Sequence, residues 1–122
     1  MAQVLVVDDS PTEIHVLKTI LEKNGHSVVS AENAEEGIKQ AKEISPALIL
    51  MDVVMPGMNG FQATRQISTD PVTNNIPIII VSTKDQETDK MWGLRQGAKD
   101  YITKPAKEKE LVNKINGILG AA

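Results

Sequence analysis

Short runs of apolar residues alternate with segments of helical periodicity along the whole chain. Three of these runs are nearly continuous in Val, Ile and Leu, which is typical of strands buried on both faces of a sheet. The predicted strands are Val4–Val7, Val28–Ala31, Ala47–Met51, Ile76–Val81 and Asp100–Thr103.

The segments between these strands carry apolar residues at the spacing of a helix face, and polar residues mark the helix ends. Ser10–Glu13 predicts a capping box with Pro11 at the first helical position, and Asn33–Glu36 predicts a second, weaker start. Asn24–Gly25 and Gly97 predict the ends of the first and fourth helices. The apolar helix positions are Ile14, Leu17, Ile20, Leu21, Ile38, Ala41, Ile44, Leu111, Ile115, Ile118 and Leu119.

Five repeats of a strand followed by a helix predict an α/β fold, a doubly wound five-stranded parallel sheet with helices on both faces. On the fourth helix we expect Met91 and Leu94 to face the core. Trp92 lies one residue off that stripe, so we expect it to be partly exposed.

Length and composition exclude several classes of protein. The 122 residues predict one domain over 1–122, and a net charge of −3 excludes a polybasic nucleic-acid binder. The absence of Cys excludes disulfide frameworks, thiolate zinc sites and thiol catalysis. No signal peptide or membrane-length apolar run is present, so we expect a cytoplasmic protein that does not insert into membranes.

The net charge conceals an asymmetry along the chain. Residues 1–83 hold 5 basic and 10 acidic side chains, whereas residues 84–122 hold 8 basic and 6 acidic ones. The difference is either chance or a sign that the two parts serve different contacts.

Polar residues follow four of the five predicted strands. Asp8 and Asp9 follow the first strand, Asp52 the third, Ser82 and Thr83 the fourth, and Lys104–Pro105 the fifth. In open parallel sheets the ligand site lies outside the carboxyl ends of the strands. We therefore expect three carboxylates, two hydroxyls and one lysine to converge at one edge.

Three carboxylates brought together repel one another, and a bound hard cation or a nearby lysine would relieve that repulsion. Oxygen ligands without Cys or paired His favour Mg²⁺ or Mn²⁺ over zinc. Mg²⁺ beside carboxylates invites phosphoryl chemistry, in which an Asp can itself be the nucleophile and form an aspartyl-phosphate.

Four segments carry a family resemblance: V-L-V-V-D-D-S, L-I-L-M-D-V-V-M-P-G-M-N-G, I-I-I-V-S-T and D-Y-I-T-K-P. In this order and spacing they resemble the receiver domain of bacterial two-component response regulators, the CheY-like family. The resemblance runs from Val4 to the last helix and implies the flavodoxin-like strand order 2-1-3-4-5. The peptides S-P-T-E, M-P-G-M-N-G-F-Q-A-T-R-Q and T-K-D-Q-E-T-D-K further resemble PilH-type regulators of type IV pilus twitching motility.

The resemblance implies a role for each residue of the cluster. Asp52 would accept a phosphoryl group from a phosphohistidine of a sensor histidine kinase. Asp9, Asp52 and the backbone carbonyl of Val54 would bind Mg²⁺, with Asp8 acting mainly through water. Lys104 would pair with the phosphoryl oxygens.

The resemblance also implies a switch. Ser82 would hydrogen-bond the phosphoryl group and draw its loop inward, and Tyr101 would move from exposed to buried. The peptide bond before Pro105 would be cis. The fourth helix, fifth strand and fifth helix would form the face that a target protein reads, and we expect no output domain.

Three alternatives stay open to different degrees. A phosphate sink that competes for the kinase would use the same residues, and the sequence does not separate it from a switch. A haloacid-dehalogenase-like phosphohydrolase needs a second Asp two residues after the nucleophile, where Val54 stands. A flavin carrier is disfavoured because Asp8 and Asp9 would repel the cofactor phosphate. Val54 and Thr83 depart from common family residues, which puts the dephosphorylation rate in doubt.

Overall fold

The computed structural model describes residues 2–120 as five strands that alternate with five helices. The sheet is parallel throughout, and its order β2-β1-β3-β4-β5 confirms the predicted topology. The strands are β1 (Gln3–Val7), β2 (Ser27–Ala31), β3 (Leu48–Met51), β4 (Ile78–Ser82) and β5 (Asp100–Thr103). The helices are α1 (Pro11–Lys23), α2 (Ala34–Ile44), α3 (Gly60–Thr69), α4 (Glu87–Arg95) and α5 (Glu108–Leu119).

The helices cover both faces of the sheet, as the continuous apolar strands require. Leu17 of α1 and Leu111 of α5 pack on one face, against alternate residues of the central strands. Ala41 of α2 and Ile67 of α3 pack on the opposite face, against the residues between them. This burial explains why β1, β3 and β4 read as unbroken apolar runs.

The first helix begins as predicted, but only half of its capping box forms. The Ser10 hydroxyl accepts a hydrogen bond from the backbone N–H of Glu13 at 3.3 Å. The Ser10 N–H donates instead to Asp8 Oδ1 at 2.9 Å, and the Glu13 carboxylate lies 3.8 Å from Lys104 Nζ. The predicted reciprocal bond from the Ser10 N–H to the Glu13 side chain does not form, so this part of the prediction was wrong. Asp8 accepts the Ser10 N–H instead, and Lys104 attracts the Glu13 carboxylate.

The fourth helix packs on the sheet through a different face from the one predicted. Gly93 is buried, and a Cβ added there would lie 2.7 Å from Ile80 Cδ1. Met91 and Leu94 point outward and are 54% and 48% exposed, so their assignment to the core was wrong. A helix that approaches the sheet through glycine has no large apolar side chain to mark its inner face. Trp92 is 51% exposed, which confirms its partial exposure.

Among residues 2–120, no helix is both long and apolar enough to cross a membrane.

Candidate functional site

Three carboxylates meet at the carboxyl edge of the sheet. Val7 and Met51 are paired in the register of β1 and β3, so the residues that follow these strands lie side by side. Each of Asp8, Asp9 and Asp52 offers an oxygen within 4.8 Å of the others. Asp8 and Asp52 are buried and Asp9 is exposed. The structure therefore brings together the three acidic residues that the sequence placed at this edge.

The two buried carboxylates are held by the backbone around them. The Asp52 N–H donates to the Val7 carbonyl at 2.9 Å, which continues the ladder between β1 and β3 past their ends. Asp52 Oδ1 accepts from the Val53 N–H, and Asp8 Oδ1 accepts from the Ser10 N–H, each at 2.9 Å. The carboxylates are thus oriented before any ligand arrives, and each keeps an oxygen that these bonds do not use.

Lys104 is the cation of the cluster. Its Nζ lies 2.8 Å from Asp8 Oδ2 and 3.6 Å from Asp52 Oδ1, and its side chain is 9% exposed. The carboxylate of Glu13, in the first turn of α1, lies 3.8 Å from the same nitrogen. Sequence reasoning missed Glu13, whose acidic position in a first helical turn has an ordinary explanation in the helix dipole.

The charged groups around Asp52 shift its pKa. Burial and the neighbouring Asp8 carboxylate raise this pKa from its ordinary value of 3.8 to about 6, although Lys104 lowers it. Burial lowers the pKa of Lys104, but its hydrogen bond to Asp8 and the nearby Asp52 and Glu13 carboxylates outweigh burial and raise it overall. One lysine therefore compensates the acidic cluster only in part, and a further cation would be favoured there.

Helix α3 begins directly against the end of β3. A Cβ added at Gly60 would lie 1.8 Å from the Asp52 carbonyl oxygen, so only glycine fits. The Gly60 N–H donates to the Val53 carbonyl at 2.9 Å. Asn59 and Gln62 form a full capping box, with bonds of 2.9 and 3.0 Å. Sequence reasoning missed this contact, although Asn-Gly followed by a helical pattern is the signal that marks it.

The two hydroxyl residues at the carboxyl end of β4, Ser82 and Thr83, differ in exposure. Ser82 is buried, and its Oγ accepts a hydrogen bond from the Lys84 N–H at 3.2 Å. Thr83 and Val54 are exposed. The Ser82 carbonyl accepts from the Lys104 N–H at 2.8 Å, which ties the end of β4 to the first residue after β5.

Tyr101 lies inward on β5. It is buried, and its hydroxyl donates to the Lys84 carbonyl at 2.7 Å. Burial raises the pKa of this phenol, so it stays a hydrogen-bond donor at neutral pH. The tyrosine thus links β5 to the loop that follows Ser82. The peptide bond between Lys104 and Pro105 is cis, as the resemblance implied.

Comparison with known proteins agrees with this geometry. The family model of the response regulator receiver domain matches residues 4–116. The chain belongs to this family. It is 58% identical over 119 residues to the protein PilH of Pseudomonas aeruginosa, and the alignment covers 98% of each chain. The receiver also spans about half the length of several other curated relatives that it matches.

Solved receivers superpose closely on this one. The chemotaxis protein CheY4 of Vibrio cholerae is 28% identical, with a TM-score of 0.90 and coverage of 98% of this chain and 99% of that one. The receiver of the sensor histidine kinase PA1611 of Pseudomonas aeruginosa is also 28% identical, with a TM-score of 0.90 and 98% coverage of both chains. That structure holds a magnesium ion in its active-site cleft. The chain is therefore the receiver domain of a two-component response regulator, a family that takes phosphoryl groups from histidine kinases.

Proposed function

We propose that Asp52 accepts the phosphoryl group in this receiver. The supporting observation is its position: a buried carboxylate at the end of β3, with Lys104 Nζ at 3.6 Å and two further carboxylates within 4.8 Å. A pKa of about 6 leaves Asp52 mostly ionised at neutral pH, and the ionised oxygen is the nucleophile. Of the three clustered aspartates, only Asp52 has its backbone carbonyl packed directly against Gly60, at the start of α3.

The transfer exchanges one bond to phosphorus for another. An Asp52 carboxylate oxygen attacks the phosphorus of a phosphohistidine on the kinase, and the new P–O bond forms as the P–N bond breaks. The electron pair of the broken bond stays on the imidazole nitrogen, which is then free to take a proton. No water is consumed, so the step is group transfer between proteins.

The acidic cluster fits a divalent cation. Its donors are carboxylate oxygens, the preferred ligands of Mg²⁺ and Mn²⁺, and one lysine compensates them only in part. Asp9, Asp52 and the backbone carbonyl of Val54 would bind the cation directly, and Asp8 would act through a water molecule. When bound, the ion would neutralise charge on the phosphoryl oxygens.

Lys104 and Ser82 would bind the phosphoryl group once it is on Asp52. Lys104 already lies against Asp52 and would pair with the phosphoryl oxygens by rotating away from Asp8. Ser82 would exchange its bond from the Lys84 N–H for one to the phosphoryl group. Because Tyr101 is bonded to the Lys84 carbonyl, movement of this loop and of the tyrosine would be coupled.

The output would be a contact with a target protein on the face formed by α4, β5 and α5. Because the chain is 58% identical to PilH, we propose that it acts in twitching-motility signalling in the cytoplasm. It would be a self-modifying switch rather than an enzyme that turns over a small substrate. A phosphate sink would share the chemistry but lack the target.

Transfer from an autophosphorylated sensor histidine kinase carrying a radiolabelled phosphoryl group tests the proposal. We expect label on the wild-type chain in the presence of Mg²⁺ and none on Asp52→Asn. The matched control is Asp70→Asn, whose carboxylate lies at the far end of α3 and pairs with Lys42. Label retained by Asp52→Asn at the wild-type level would contradict the assignment. A second partner bound only by the labelled form would favour the switch over the sink.

A further inference from the structure

A groove of about 590 Å³ lies between α3 and α4, away from the carboxylate cluster. Its walls are the outer side of α3 and the side of α4 that carries Trp92. The lining residues are Asn59, Phe61, Gln62, Arg65, Gln66, Thr69, Trp92 and Gln96. The groove is open to solvent, and its lining combines two aromatic rings with side-chain amides.

A second, smaller hollow continues the groove over α4. It measures about 230 Å³ and is lined by Thr88, Met91, Trp92 and Arg95. Trp92 belongs to both hollows, and the exposed Met91 lies beside it. The two hollows therefore form one strip whose centre is apolar, and we call it the α3–α4 groove.

The charged side chains that line the α3–α4 groove are all positive. Arg65 is the only charged residue of α3, and Arg95 lies in the last turn of α4. Among the described residues that line the two hollows, none is acidic. Neither arginine forms an ion pair with a carboxylate of residues 2–120.

Helix α4 carries two acidic residues, Glu87 and Asp89, both in its first turn, and neither lines the two hollows. The Asp89 carboxylate lies 4.0 Å from Lys84 Nζ and accepts a bond from the Gln86 N–H at 3.2 Å, so it is engaged at the start of the helix. A chain with net charge −3 thus presents an apolar strip flanked by two unpaired guanidinium groups.

We propose that the α3–α4 groove docks an acidic amphipathic helix of a partner protein. An apolar stripe at i, i+4 and i+7 would cover Trp92 and Met91, and carboxylates on its flanks would pair with Arg65 and Arg95. Only two positive charges face the groove, too few for a phosphate backbone. The proposal does not depend on phosphorylation of Asp52, and the surface differs from the α4, β5 and α5 face because α3 forms one wall.

Two synthetic peptides of about 15 residues are the probes, both acetylated and amidated and both carrying the same leucine stripe. One has Glu on its polar face and the other has Lys at the same positions. Trp92 is the only tryptophan of the chain, so its emission reports binding directly, and calorimetry measures the affinity. We expect the Glu peptide to bind the full chain and to change the Trp92 emission, and the Lys peptide to bind at least about ten-fold more weakly.

Charge-reversal variants distinguish peptide binding in this groove from non-specific binding elsewhere on the surface. Arg65→Glu combined with Arg95→Glu should weaken the Glu peptide about ten-fold and strengthen the Lys peptide. Lys18→Glu combined with Lys39→Glu makes the same change of charge at exposed positions of α1 and α2, and it should leave the preference unchanged. Circular dichroism checks that each variant folds.

Equal binding of the two peptides, or an unchanged preference after reversal of the arginines, would overturn the proposal. So would no binding of either peptide to the wild-type chain. Sedimentation of the chain alone tests the other occupant: a dimer that the arginine reversal dissociates would mean that a second copy fills the groove. A monomer in all variants, together with the switched peptide preference, is the expected result.

Discussion

Replacing Asp52 by Asn should stabilise the metal-free protein at neutral pH, although it removes a group of the proposed active site. In the folded chain the pKa of Asp52 is raised to about 6, chiefly by burial and by Asp8, whereas an unfolded chain keeps the ordinary value of 3.8. A carboxyl with a raised pKa binds its proton more tightly when folded. Stability from this group is therefore present at low pH and lost as pH rises through about 6.

The size of the effect follows from that difference. At about 1.4 kcal/mol per pH unit, the separation of the two pKa values corresponds to about 3 kcal/mol against the ionised form above pH 6. Asn keeps an acceptor for the Val53 N–H but loses the attraction of Lys104. Water can also relax around the carboxylate. We therefore expect Asp52→Asn to gain about 1–2 kcal/mol at pH 7.5.

Urea unfolding in the presence of a chelator measures this gain, followed by tryptophan emission and circular dichroism between pH 4 and pH 8. The gain should shrink as pH falls from about 6 towards 4, because wild-type Asp52 then becomes protonated too. Asp70→Asn is the control of opposite sign, since the Val72 N–H and Lys42 lower the pKa of Asp70. A loss of stability in Asp52→Asn at pH 7.5, or a gain independent of pH, would mean that burial and Asp8 do not destabilise the ionised Asp52 carboxyl.

Three other substitutions test contacts around the site by urea unfolding. Lys104→Met removes the one cation from the carboxylate cluster and should cost about 3 kcal/mol without metal; no loss would mean that the cluster needs no compensation. Gly60→Ala should lower the free energy of unfolding by several kcal/mol, because its Cβ would lie 1.8 Å from the Asp52 carbonyl oxygen. The control Gly117→Ala should not lower it, because a Cβ there meets open space. Tyr101→Phe should cost about 1 kcal/mol through its lost bond to the Lys84 carbonyl, and an unchanged midpoint would contradict an inward tyrosine.

The positions of the site residues could be predicted because parallel strands end at one edge. Continuous apolar runs mark β1, β3 and β4, and the first polar residues after them are Asp8, Asp9, Asp52 and Ser82. The fifth strand added Lys104, whose contact with Asp8 depends only on the strand order. Topology alone therefore brought these residues together.

The features that sequence reasoning missed depend on contacts between elements. Glu13 looks like a capping residue until Lys104, from the other end of the chain, attracts its carboxylate. Met91 and Leu94 have helical spacing, but Gly93 decides which side of α4 meets the sheet. A glycine contributes nothing to an apolar pattern, so periodicity could not identify the inner face.

The role of Asp52 is tested most directly by identifying the residue that becomes phosphorylated. The protein is treated with acetyl phosphate and Mg²⁺, and borohydride then reduces any aspartyl-phosphate to homoserine, which tandem mass spectrometry locates. We expect homoserine at position 52 alone, and none when Mg²⁺ is chelated or when Asp52 is replaced by Asn. Homoserine at Asp8 or Asp9 in the wild-type chain would contradict it.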